Sequence, residues 1–301
     1  MMTPQETLVL VTGAAGIGGD AVCRLLLEEG FRVRAADVAP PQPDLRELLR
    51  ERGGEFMRCD TRTPEDCRRA AEGCQAVAHL AAWHCAHNPP VSDETIWAVN
   101  VDGTFNIFQA CRAAQVKAVA YASSMAFGWG GIYSVSKVVG EDLCRSYHES
   151  SGASVAMLRY HDFVPKPYLD FGVKLLRNGV DRRDVASATV ASVKAALAGR
   201  IGLFRTIVHT AHGLPPAAVE NFRDLGPAWC EEQVPGSRAL IEKYALELPS
   251  HVEQHDLSEA ARLLDWKPRV GFIEFLRDLR ERDGRGEDVR SLWAPGQIPS
   301  A

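Results

Sequence analysis

Along the first half of the chain, short unbroken apolar runs alternate with stretches in which apolar residues recur at helical spacing. The runs are Thr7–Thr12, Arg32–Asp37, Glu55–Arg58, Ala76–Leu80, Val116–Ser123 and Ser154–Arg159. Strands separated by helices in this way predict an α/β fold built on a parallel, doubly wound sheet. After Arg159 the rhythm changes. Pro165 and Pro167 open an irregular stretch, a helical pattern runs from Asp184 to Ala198, and a strand-like run, Phe204–Val208, precedes the Pro215-Pro216 break. Helical patterns at Ser258–Trp266 and Phe272–Arg282 lead into a tail rich in Gly and Pro. The chain thus divides into a sheet domain, residues 1–160, and residues 161–301, read mainly as a small C-terminal substrate-binding lobe with part returning to the sheet.

Between the first strand and a helix whose apolar face includes Val22, Leu25 and Leu26 lies Thr12-Gly13-Ala14-Ala15-Gly16-Ile17-Gly18-Gly19. Gly13 permits a tight turn, Gly16 lets backbone approach a pyrophosphate, and Gly19 allows close packing of helix on sheet. The helix that opens near Ile17 offers N–H donors to phosphates. Asp37 ends the second strand, where an acid accepts from ribose hydroxyls, so the unit reads as a Rossmann dinucleotide site. A carboxylate there repels the extra phosphate of NADP, and NAD is the expected cofactor. Arg32 and Arg34 keep NADP as the alternative, against their plainer reading as solvated strand residues. Asp60, just past the third strand, either caps the next helix or accepts from the adenine amino group.

Composition narrows the partners. The 301 residues are 46% hydrophobic and 24% charged, the balance of a soluble globular protein with room for one large domain and a lobe. Lys plus Arg number 34 against 39 Asp plus Glu, a net charge of -5 with no basic block, which disfavours nucleic acid. Leu8–Val11 is too short for a signal-peptide core, and no run approaches the ~20 apolar residues of a membrane span, so a cytosolic protein is expected. The eight cysteines include no Cys-x-x-Cys pair and read as small buried hydrophobes rather than disulfide partners.

Of the six tyrosines, only Tyr133 has a lysine four residues on, Lys137, and the pair opens a long helical pattern. That spacing puts both side chains on one helix face. An ammonium near a phenol lowers a pKa that starts at about 10. Tyr133 can then take a hydroxyl proton as hydride leaves a substrate carbon, or return it. The plain alternative is a helix-surface pair. Position favours the chemical reading, because the fifth strand just before it ends in Ser123 and Ser124, and both hydroxyls are expected to face the same crevice. Ser124 donates to the reacting oxygen in that reading and merely forms a turn in the other.

With these pieces in order, the chain resembles the NAD-dependent epimerase/dehydratase branch of the short-chain dehydrogenase/reductase superfamily. The matching segments are Thr12 to Gly19, Asp37, His79 to Ala82, Asn100 to Thr104, Ala122 to Ser124, Tyr133 to Lys137, Arg183 to Ala186 and Ser258 to Pro268. The resemblance implies that Leu80 and Ala81 line the pyrophosphate and ribose, that Asn100 supports the catalytic hydrogen-bond network, and that Lys137 also holds the nicotinamide ribose. Ser123 and Tyr133 complete the expected cofactor set, with Gly13, Gly16, Ile17, Gly19, Asp37 and Asp60.

The sequence departs from the family in informative places. Relatives place some two dozen residues between the catalytic hydroxyl and the tyrosine, whereas here Met125 to Ile132 is the whole connection. Either the substrate is unusual or another segment, such as Ala82 to Asp93, closes the site. Sugar dehydratases of the family carry an Asp-Glu pair after the hydroxyl residue; Met125 and Ala126 stand there, which disfavours dehydration. Tyr160-His161-Asp162-Phe163 replaces the usual Asn near the sixth strand.

His84, Cys85 and His87, and His209 with His212, have spacings that suggest metal, but Zn sites of this composition show tighter signatures, and no metal is expected. His84, Ser124, Met125 and Asp162 are read as substrate-facing. The patterns Ile96–Ala113 and Val135–Tyr147 pack against their copies in a homodimer, or simply cover the sheet. The expectation is an NAD-dependent dehydrogenase of a secondary alcohol in a sugar-like or polyhydroxylated small molecule. An epimerase of nucleotide sugars is the second reading, and a non-catalytic NAD-binding sensor or subunit is the contrasting class.

Overall fold

The computed structural model describes residues 3–85 and 90–294. In chain order the strands are β1 (Leu8–Thr12), β2 (Arg32–Asp37), β3 (Glu55–Arg58), β4 (Ala76–His79), β5 (Ala118–Ser124), β6 (Ser154–Tyr160), β7 (Lys166–Pro167), β8 (Leu203–Val208) and β9 (Trp293–Ala294). Around them run α1 (Ile17–Glu28), α2 (Pro43–Glu51), α3 (Pro64–Ala71), α4 (Asp93–Trp97), α5 (Gly103–Ala113), α6 (Gly131–Ser151), α7 (Tyr168–Lys174) and α8 (Arg182–Leu197). Then follow α9 (Pro216–Glu220), α10 (Phe222–Gln233), α11 (Ser237–Lys243), α12 (Ser258–Leu264) and α13 (Phe272–Gly284). The chain forms two compact units. The first comprises Met1–Arg159, Val185–Ile207 and Leu257–Trp266, and the second Tyr160–Asp184, Val208–Asp256 and Lys267–Ala301.

The first unit is built on the seven-stranded sheet, in the order β3-β2-β1-β4-β5-β6-β8. Every residue of β1, β4 and β5 is buried, which is why these segments read as unbroken apolar runs rather than alternating ones. The chain leaves β1 toward β2 on one side and returns to β4 on the other, so the strand order reverses beside β1. Thr12 at the end of β1 stands opposite His79 at the end of β4. A doubly wound sheet opens its ligand crevice at that reversal, outside the carboxyl ends of the strands. On α1 the buried face is Val22, Cys23, Leu26 and Leu27. Helix α6 ends where Gly152 adopts a left-handed conformation, φ 66°, and donates to His148 O.

The second unit has its own core, in which Tyr168, Phe171, Phe222, Phe272, Phe275 and Leu276 pack together. The short strands β7 and β9 pair antiparallel within it. Among the described residues no helix is long and apolar enough to cross a membrane. All eight cysteines are unpaired, seven of them buried and Cys85 exposed.

Two readings of the sequence need correction. The single helix expected over Ile96–Ala113 is interrupted: α4 ends at Trp97, and a π-helical turn, Ala98–Asp102, leads into α5. A π turn fits one extra residue into the helix, an insertion that apolar spacing does not register. The stretch opened by Pro165 and Pro167, read as irregular, holds β7 and α7, and the segment between Pro216 and Ser258, to which no element was assigned, holds α9, α10 and α11. In α10 the buried residues Phe222, Gly226 and Cys230 keep a spacing of four, but Gly226 and Pro227 inside the helix hide the pattern.

Candidate active site

The glycine-rich turn is shaped by contacts only a hydrogen side chain permits. Gly13 sits at φ 70°, and a Cβ there would come within 2.7 Å of Ala81 N. A Cβ on Gly19 would overlap the Gly13 carbonyl. The Asp37 carboxylate accepts from Ala15 N and from Ala39 N, each at 3.0 Å, and so fixes both the turn and the end of β2.

Behind the turn runs a buried relay with determinate proton positions. Thr104 Oγ1 donates to Asn100 O at 2.6 Å and must therefore accept from His79 Nε2 at 3.0 Å. His79 Nδ1 is left to accept from Thr12 Oγ1 at 2.6 Å, and Thr12 Oγ1 in turn accepts from Leu80 N and Ala81 N, each at 3.2 Å. Burial, with the Lys137 charge adding, pushes His79 down to about 3 and keeps it neutral, as this chain of bonds requires. Sequence reading gave no role to Thr12, His79 or Thr104. The signal was a polar pair, Thr12 and His79, at the ends of two otherwise apolar strands.

The catalytic candidates gather around α6. Tyr133 is buried in a cluster with Ile96 and Ala126, against which Trp83 and Ile132 pack. The His84 ring meets its ring edge-on at 4.5 Å. A cavity of ≈ 140 Å³ adjoins it, lined also by Cys85, Asp93, Ile96, Ala126 and Trp129. One turn on, Lys137 Nζ donates to Ala122 O at 2.8 Å and lies 5.8 Å from the centre of the Tyr133 ring. Burial pushes this ammonium down to about 8. Asn100, on the π turn, accepts from Trp83 N at 2.8 Å and donates to Trp83 O and to Ser136 Oγ, each at 3.0 Å. Ser136 Oγ donates to Tyr133 O at 2.7 Å. Asn100 thus ties the segment after β4 to Ser136 near the start of α6, and the π turn is what carries it.

Ser123 and Ser124 diverge, contrary to the reading that both hydroxyls face one crevice. Successive strand residues point to opposite faces. Ser124 Oγ accepts from Ala126 N at 3.1 Å, while Ser123 Oγ donates to Glu141 Oε1 at 2.6 Å. Glu141, which sequence reading passed over, also receives the Arg159 guanidinium at 2.7 and 2.8 Å and Arg205 at 3.2 Å. Burial raises its carboxyl, yet hydrogen bonds from Arg159 and Ser123 hold it below the usual carboxylate range. An acid four residues past Lys137, on the buried side of α6, was the available signal.

Residues 9–166 match the NAD dependent epimerase/dehydratase family. The chain belongs to that family. It is 34% identical over 127 residues to short-chain dehydrogenase/reductase family 42E member 1 of Danio rerio, covering 42% of this chain and 32% of that protein. The chain therefore aligns with less than a third of that relative. With UDP-glucuronate 4-epimerase of Thermodesulfobacterium geofontis it is 24% identical over 316 residues, 89% of this chain and 93% of the other. Its fold is similar to that of a short-chain dehydrogenase/reductase superfamily protein from Agrobacterium tumefaciens solved with bound NAD, at TM-score 0.67 and 18% identity over 92% and 98% of the two chains.

The family is NAD dependent, and this member has the fold of a short-chain dehydrogenase/reductase. The turn after β1 fits a dinucleotide: Gly13 and Gly19 leave bare backbone where any Cβ would intrude, and Gly16 at the N-cap of α1 has no side chain to compete for the first N–H groups. Asp60 does not cap α3, since its carboxylate is held by Arg62 through Nε, Nη2 and backbone N. Arg34 pairs with Glu55 and donates to Ala70 O and Glu72 O, which removes it from the NADP alternative.

Met125 is half-buried in the short turn after β5. Of the segment Ala82 to Asp93, Trp83 and His84 pack against Tyr133, while His87 lies outside the described residues. Asp162 belongs to the second unit, where Lys166 and Lys174 neutralise it at 3.2 and 3.1 Å. His209 and His212 do not pair as metal ligands: His212 Nε2 bonds Thr210 Oγ1 and Leu175 O, and His209 groups instead with His161 and His255.

Proposed function

We propose that this enzyme oxidises or reduces a secondary alcohol on a sugar-like or polyhydroxylated small molecule, with Tyr133 as acid/base. The observation that carries the reading is Tyr133 buried beside a cavity with the Lys137 ammonium one turn away on the same helix. When bound, NAD supplies the acceptor for hydride from the carbinol carbon. Tyr133 removes the hydroxyl proton in that direction and returns it in the other. Ser124 donates to the reacting oxygen, and the Lys137 charge stabilises the negative charge that forms there. Asn100 acts indirectly, keeping Trp83 and Ser136 near the start of α6 in place through three hydrogen bonds. Gly13, Gly16, Ile17 and Gly19 receive the pyrophosphate, Asp37 the ribose hydroxyls, and Leu80 and Ala81 line the dinucleotide. Met125 and Ala126 stand where an elimination would need acid and base, which argues against dehydration.

Epimerisation is the second reading, favoured by the nearly full-length likeness to UDP-glucuronate 4-epimerase. A homodimer through α5 and α6 is part of the proposal, because Phe105, Val135 and Val138 stand exposed on them. The test is absorbance of NADH across a panel of sugars, uronic acids, nucleotide sugars and polyols, with NAD and NADP, on wild type and Tyr133→Phe. Turnover lost in the variant while NAD still binds supports dehydrogenation. Inverted product without net NADH moves the assignment to epimerase. Turnover unchanged in Tyr133→Phe, or none in any assay, sinks the Tyr133 mechanism and favours the non-catalytic binder.

A further inference from the structure

In the second unit three histidines converge from separate stretches of chain. His161 directly follows β6, His209 directly follows β8, and His255 lies in the segment before α12. His161 N donates to Val208 O at 3.2 Å, so the first two are held side by side. One nitrogen from each ring lies within 4.8 Å of the others. The Nε2 atoms of His161 and His255 are 2.9 Å apart, and Glu253 Oε1 stands 3.1 Å from His255 Nε2 and 3.8 Å from His161 Nε2. The His209 ring lies 4.1 Å from that of His161 and 5.1 Å from that of His255. The proposed reaction uses none of these groups.

The protons identify what is missing. His209 Nε2 is 2.8 Å from Arg177 O, and a carbonyl only accepts, so Nε2 carries the hydrogen and Nδ1 carries the lone pair. His209 is fully buried, yet Nδ1 has no hydrogen-bond partner. A buried acceptor left empty is uncommon in a well-packed core. An imidazole whose far nitrogen donates to a backbone carbonyl is, however, oriented as a metal ligand is by its surroundings. Neutral imidazoles with one carboxylate suit Zn²⁺ and neighbouring divalent transition metals, not Ca²⁺ or Mg²⁺.

We propose that His161, His209 and His255 form a site for a divalent transition-metal ion of the Zn²⁺ class, with Glu253 as the fourth ligand. The ion cross-links the ends of β6 and β8 to the segment before α12 and so has a structural role. Two Zn–N bonds of about 2.0–2.1 Å at a tetrahedral angle separate the nitrogens by about 3.3 Å. The His161–His255 contact needs to open by only a few tenths of an ångström.

The test uses the full chain without a histidine tag, stripped by a chelator and dialysed against Co²⁺ or Zn²⁺. The expected result is close to one ion per chain, a visible ligand-field band with Co²⁺ that Zn²⁺ abolishes, and a raised melting temperature. His209→Asn and His255→Ala should each lose the ion and the temperature shift while still binding NAD. Should His209→Asn fail to fold, His255→Ala decides alone, since that side chain is 19% exposed and its removal opens little core. Failure of the wild type to retain an ion, retention by His255→Ala, or loss on replacing His84 and Cys85 instead would overturn the proposal.

Discussion

Replacing Glu141 by leucine removes the acceptor on which three side chains converge. Ser123 is buried, Arg159 has a side-chain exposure of 16%, and Glu141 itself 9%, so water cannot take over the bonds to the first two. Arg205 is half exposed, and its contribution is screened to about 1 kcal/mol or less. Removing one member of a buried ion pair costs about 3–5 kcal/mol, mostly because the other charge stays behind uncompensated. Unfolding entropy of about 2.1 cal/mol/K per residue turns that into a fall of roughly 5–8 °C in melting temperature for a chain of this length. Replacing Arg159 by leucine as well removes the stranded charge, so Glu141→Leu with Arg159→Leu should recover at least half of the loss, measured by calorimetry. The pH dependence carries a sign. A carboxyl held below its unfolded value near 4.5 stabilises the protein above that pH, and the benefit disappears as pH falls through the folded value. The gap between wild type and Glu141→Leu must therefore close in acid. A single-variant cost under about 1 kcal/mol, or a double variant as unstable as the two single losses added, would refute the reasoning.

Lys137, held down near 8 by burial, binds fewer protons folded than unfolded between about pH 8 and its unfolded value near 10.5. Its contribution to stability rises across that window. In denaturant titrations of the cofactor-free protein, the stability of wild type relative to Lys137→Met should climb by about 2–3 kcal/mol from pH 8 to 10.5, and a flat difference would count against the buried ammonium. Gly19→Ala gains helix propensity of about 1 kcal/mol but drives a methyl into the Gly13 carbonyl. NAD affinity, read by calorimetric titration, should fall at least about tenfold, or about 1.4 kcal/mol, and an unchanged affinity would remove Gly19 from the cradle.

Much of the first unit could be read from local pattern because its central strands β1, β4 and β5 are buried on both faces, and unbroken apolar runs survive in the sequence as such. The glycine turn, Asp37, Tyr133 and Lys137 were equally visible, each depending on spacing within one element or across one turn. Asn100 was named only by resemblance, since its partners Trp83 and Ser136 lie 17 and 36 residues away. Glu141 was missed for the same reason: Ser123, Arg159 and Arg205 reach it from three strands.

What the sequence determined by itself was the alternation of elements, the dinucleotide turn and the helix that carries Tyr133 and Lys137, all consequences of periodicities a few residues long. The tertiary structure decided which polar groups meet. Strand pairing brought Thr12 opposite His79, a π turn set Asn100 against α6, and the ends of β6 and β8 brought His161 beside His209. Such meetings depend on sheet order and helix registry, which local propensity does not encode, while the penalty for burying an unpaired polar group makes each of them matter once the chain has folded.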